Sequence, residues 1–195
     1  MTFKSYAFFD LLGVKNAFAD GTAAQLLEKF WNTADAWTSS PHFPAMKVYG
    51  ESFLTQPTVF VRTFSDSAIL YTKEEHSIED FYLIVESFKS SIERGVGKVY
   101  VIVSRNKEAS APRMPALGGR MLDHDMTPNY LNIAGSGDAW ANIHYADHVI
   151  TRTKEWHETY TFFCVGEQSK PKDFNVKDTR ECMTINGKTI IFALC

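Results

Sequence analysis

Along this chain the apolar positions alternate between strand-like and helical spacing. Phe3 to Leu12 is apolar on both faces, the pattern of a central strand covered from both sides, and Gly13 breaks it. From Val14 the positions Phe18, Ala23, Leu26, Leu27, Phe30, Trp31 and Ala34 follow helical spacing, with Gly21 placed to divide the run into two helices. The prolines between Thr38 and Pro44 predict a loop. Met46 to Phe53 and Thr58 to Tyr71 read as strands, the second folded at Phe64-Ser-Asp-Ser67, where short polar residues favour a tight turn. Phe81, Ile84, Val85, Phe88 and Ile92 recur at three and four residues and predict a helix from about Ile78 to Glu93, ended by Gly95 and Gly97. Val99 to Val103 predicts a core strand, and the polar, Pro/Gly-rich Ser104 to Asp125 a long surface loop.

Downstream, Tyr130 to Ala134 predicts a short strand. Ala139 to Ile150, entered through Gly135-Ser-Gly137, predicts a helix with Trp140, Ile143 and His144 or Ala146 inward. Tyr160 to Val165 is a further strand, and Asn186-Gly187 between Glu181–Ile185 and Lys188–Ala193 signals a type I′ hairpin. The order implies an α+β fold, with helices on one face of a mostly antiparallel sheet, in a single domain over 1–195.

Composition narrows the function. A hydrophobic fraction of 45% in 195 residues supports one substantial core. A formal charge of −3 and a pI near 6.1 leave no broad basic surface, which argues against a nucleic-acid partner. The three cysteines form no C-x-x-C pair and are odd in number, which argues against a disulfide framework and a zinc knuckle. No apolar run approaches the roughly 18 residues of a membrane span, and no leader pattern opens the chain. The expectation is a cytoplasmic protein with no membrane partner.

Chemistry enters with two aspartates set in apolar strand-like runs, Asp10 in Tyr6–Lys15 and Asp66 in Val59–Tyr71. A carboxylate in a buried strand costs several kcal/mol unless a cation satisfies it, and two invite a shared metal ion. The plainer alternatives are a helix cap for Asp10 and a turn residue for Asp66. His144 and His148, four apart beside Asp147, raise a histidine metal site, but no glutamate stands between them in the zincin arrangement. Gly187-Lys-Thr189 lacks the earlier glycine and the context of a P-loop. Cys164, inside an apolar strand, reads as core rather than nucleophile.

The segment Phe9-Asp-Leu-Leu-Gly-Val14 resembles the first-strand motif of class III nucleotidyl cyclases, and Arg62-Thr-Phe-Ser-Asp66-Ser resembles their metal-binding hairpin. The nearest group is the bacterial Pycsar anti-phage cyclases, which make cyclic pyrimidine nucleotides. The resemblance covers about the first 70 residues. It implies a ferredoxin-like palm and two divalent cations, Mn²⁺ or Mg²⁺, held by Asp10 and Asp66 with a backbone carbonyl near Leu11. It also implies a homodimer with active sites at the interface. Backbone N–H groups of Leu12, Gly13 and Val14 could hold the triphosphate. Arg62, four residues before Asp66, stands where the family selects its base. Arginine presents only donors and so suits the acceptors O2 and O4 of uracil, making UTP the favoured substrate, though cytosine also fits. Asn142 is the candidate for the family's transition-state asparagine and Asn132 for a second base contact. The family's later arginine has no counterpart before Arg152, with Arg113 and Arg120 as alternatives. The rival readings are a nucleotide-sensing module without turnover and a palm-type oligonucleotide cyclase or polymerase.

Overall fold

The computed structural model describes residues 2–39, 59–72, 77–108, 138–152, 160–172, 179–183 and 190–194. Strand β1 (Thr2–Leu11) is followed by helices α1 (Val14–Ala19) and α2 (Ala23–Thr38), then by β2 (Val59–Phe64) and β3 (Ser67–Thr72). Helix α3 (Ile78–Gly95) leads to β4 (Val99–Glu108), helix α4 (Asp138–Arg152), β5 (Phe162–Val165), β6 (Thr179–Met183) and β7 (Ile190–Leu194). The seven strands form one sheet in the order β2-β3-β1-β4-β5-β7-β6. Every pairing is antiparallel except β4 with β5. The fold is therefore mixed α+β with a mostly antiparallel sheet.

The helices occupy both faces of that sheet, which corrects the expectation of one. Ala7, Phe9 and Leu11 of β1 pack with Phe30, Ala34 and Trp37 of α2 and with Phe81, Val85, Phe88 and Ile92 of α3. Tyr6 and Phe8 of the same strand pack with Ile102, Phe163 and the inward stripe Ala139, Ile143, Ala146 and Ile150 of α4. The cause is the pattern of β1 and β4 themselves. A strand apolar on both faces leaves one hydrophobic surface wet unless a second layer covers it. On the first face Phe88 anchors the packing, its ring edge-on to Phe9 at 4.8 Å and tilted against Trp37 at 4.9 Å.

Local signals account for the element boundaries. Gly13 sits at φ 90°, a left-handed conformation that lets β1 turn straight into α1 without a Cβ penalty. Ser77 caps α3 by accepting the Asp80 N–H at 3.0 Å, with Glu79 and Asp80 in the first turn and Arg94 in the last, each favourably placed on the helix dipole. The expected end of β4 at Val103 is overturned, since the strand runs on to Glu108. The start of β1 recruits it, with Ser5 opposite Arg105 and Thr2 opposite Glu108, so pairing overrides a polar sequence. Phe18 and Trp31, counted on the apolar stripe, are instead exposed at 68% and 41%. His144 is exposed as well, leaving the inward position to Ala146. The predicted strands at Met46–Phe53 and Tyr130–Ala134, and the Asn186-Gly187 turn, lie outside the described residues, although β6 and β7 do pair antiparallel.

Candidate active site

Asp10 is the next-to-last residue of β1, directly opposite Ser67 on β3 and Tyr100 on β4. Residues opposed across a ladder project to the same face, so all three point to the side covered by α4. Ser67 Oγ donates to Asp10 Oδ1 at 2.8 Å. The Tyr100 hydroxyl donates to Asp147 Oδ1 on α4 at 2.5 Å and also lies within hydrogen-bonding range of Asp10. Asp66 is brought alongside by the two-residue turn between β2 and β3. Its carbonyl accepts the Leu11 N–H at 2.9 Å, and the preceding Ser65, at φ 50°, has its carbonyl held by the Trp31 indole N–H at 2.8 Å.

Three carboxylates from three parts of the chain thus converge at the end of β1. Burial is the largest cause that pushes the Asp10 carboxyl up to about 6. The Ser67 and Tyr100 bonds oppose it, while the charges of Asp66 and Asp147 reinforce it, and no cationic side chain among the described residues relieves it. Asp147 is also raised, again chiefly by burial, with Tyr100, His144 and His148 acting against the shift. The Tyr100 hydroxyl is driven well above its usual range by burial and by the two acids it faces.

Unneutralised, hard oxygen donors of this kind suit Mg²⁺ or Mn²⁺. Among the described residues no group of three or more His, Cys, Asp or Glu side chains is arranged to hold a metal by itself. The donor set fits a cation that takes one or two carboxylates from the protein and completes its shell with water and phosphate oxygens, the habit of Mg²⁺.

The other sequence-derived residues divide. The Leu12 N–H is spent on the Lys98 carbonyl at 2.8 Å, so of the three amides assigned to phosphate only those of Gly13 and Val14 keep that role. Arg62 stands opposite Ile69, on the face that Asp10 also points to. Its Nη1 reaches the Val61 carbonyl at 3.3 Å, and its buried Nε finds no partner among the described residues. Asn142 is half-buried on α4 but lies about 140° around the helix from Asp147, away from the flank that meets the carboxylates. His144 and His148 are exposed. Asn132, Arg113 and Arg120 lie outside the described residues.

Tyr100 and Trp31 enter the site only through the structure, and Asp147, which the sequence set only beside His144 and His148, is brought there by the Tyr100 bond. Tyr100 is one position in a run of β-branched residues, and nothing but the β1–β4 register places it opposite Asp10. Cys164 is fully buried and hydrogen-bonded to Tyr82, its thiol pushed up to about 12 by burial, as a core residue should be. No described helix is long and apolar enough to cross a membrane. No protein-family model matches the chain, and no curated protein matches it.

Proposed function

We propose that this protein is a metal-dependent nucleotidyl cyclase that converts a nucleoside triphosphate, with UTP favoured, to the 3′,5′-cyclic mononucleotide and pyrophosphate. By its resemblance it would serve as a source of second messenger in bacterial anti-phage defence. What carries the reading is the meeting of Asp10, at the end of a central strand, with Asp66, at a hairpin tip held to that strand by the Leu11 N–H. The chain path adds support. Strand, helices, hairpin, helix and strand, in the sheet order β2-β3-β1-β4, support reading the first half of the mixed α+β fold as a ferredoxin-like palm.

Asp10 and Asp66, with the Leu11 carbonyl, would hold the two divalent cations. When bound, such ions acidify a ribose 3′-hydroxyl and neutralise a departing pyrophosphate. Ser67 and Tyr100 fix the Asp10 carboxyl on one side, and the Gly13 and Val14 amides offer donors to the triphosphate. By the resemblance, the Arg62 guanidinium would supply donors for the uracil O2 and O4 in the partner's site of a homodimer.

A second reading, a cyclase-like module that binds a nucleotide without turnover, draws on one observation. The flank of α4 that faces the site carries the carboxylate of Asp147, where transition-state stabilisation calls for a cation. Incubation with ATP, GTP, CTP or UTP and Mn²⁺, followed by mass spectrometry, separates the readings. A cyclic mononucleotide from UTP, abolished by Asp66→Ala at an unchanged melting temperature, is the expected result. Nucleotide binding without product favours the sensor, and linear or cyclic dinucleotides favour a palm polymerase.

A further inference from the structure

We infer that Trp31 is the positioning residue for Asp66, an inference that rests on reading Asp66 as a metal ligand. The turn between β2 and β3 holds only Ser65 and Asp66, and both of its carbonyls are clamped from outside the hairpin. The Ser65 carbonyl accepts the Trp31 indole N–H of α2 at 2.8 Å, and the Asp66 carbonyl accepts the Leu11 N–H of β1 at 2.9 Å. These two bonds orient the peptide groups on either side of the Asp66 Cα, and with them the direction in which its carboxylate leaves the backbone.

The clamp has a load to bear. Ser65 is the one described non-glycine residue with positive φ, at 50°, a left-handed conformation that an L side chain keeps only where its surroundings impose it. Burial does not explain the orientation of Trp31. Phe30, Ala34 and Trp37 fill the core side of α2, whereas Trp31 remains 41% exposed. What its indole supplies is a single donor on a long rigid arm, aimed at one carbonyl. Phenylalanine keeps the ring and loses that donor.

Groups that orient a metal ligand typically change metal affinity by tens-fold when removed. In calorimetric titration of the full chain with Mn²⁺ alone, the wild type binds, Asp66→Ala does not, and Trp31→Phe binds about tenfold more weakly. The melting temperature of Trp31→Phe in EDTA stays within about 2 °C of wild type, because the lost bond lies at the surface. In ¹⁵N spectra, Mg²⁺ shifts the Trp31 indole resonance together with the Ser65 to Ser67 amides, a response that a purely structural side chain does not give. If Trp31→Phe binds Mn²⁺ as tightly as wild type while Asp66→Ala is silent, the positioning role is overturned and the metal site stands. If wild type and Asp66→Ala behave alike, the metal site falls and this role falls with it.

Discussion

Asp10 shows how a site residue can work against the stability of the fold that holds it. Its carboxyl, raised from 3.8 to about 6, binds a proton more tightly in the folded than in the unfolded chain. The folded state therefore carries more protons between those two values, and this group's contribution is most favourable below pH 3.8 and declines as pH rises through 6, by about 3 kcal/mol in total. Asp10→Asn keeps an acceptor for Ser67 and removes the charge. In urea denaturation with EDTA, the variant should be about 1–3 kcal/mol more stable than wild type at pH 8, with the advantage vanishing toward pH 4. A variant less stable than wild type at pH 8 would mean that the repulsion among Asp10, Asp66 and Asp147 is already relieved. Retaining a costly aspartate where asparagine would fold better is the behaviour of a residue kept for chemistry.

At the scale of elements, the site is a junction of β1, the β2–β3 turn and α4, and the Tyr100–Asp147 bond ties the last of these to the sheet. Tyr100→Phe deletes the donor and leaves a half-buried carboxylate facing two others. Its cost is expected at about 1.5–3 kcal/mol, the range for a hydrogen bond to a charged group. Hydrogen exchange should report the loss locally, with amides of Asp138–Arg152 exchanging faster while those of α3 keep their protection. Uniform acceleration across both helices would show that the bond supports the whole fold rather than the docking of α4. The hairpin and α3 were legible in the sequence because short polar residues and a clean three-four periodicity are local signals. Asp147 and Trp31 were not. A carboxylate on a helix flank and a tryptophan near an apolar stripe look ordinary until partners 47 and 34 residues away are brought to them. The extension of β4 through Glu108 was hidden for the same reason, since only the pairing demand of β1 makes Ser104 to Glu108 a strand.

For the molecule as a whole, the unbroken apolar run of β1 already implied cover on both faces, yet the order of elements pointed to one layer of helices. The second layer arrives with α4, and β5, β7 and β6 extend the sheet beyond β4 on that side. Strand direction has a mechanical consequence. β1 runs against β4, β4 runs with β5, and β5 runs against β7, so β1 and β7 point the same way, with Thr2 and Leu194 at opposite ends of the sheet. Tension between these residues pulls β1 along its own axis, where ten opposed pairs with β4 and five with β3 resist by sliding together. Tension between Thr179 and Leu194, which face each other across β6 and β7, opens that ladder one rung at a time. Single-molecule pulling from the first pair of handles should therefore require a clearly higher rupture force than from the second. The strand that carries Asp10 is thereby the one this sheet braces most firmly against a pull along its axis.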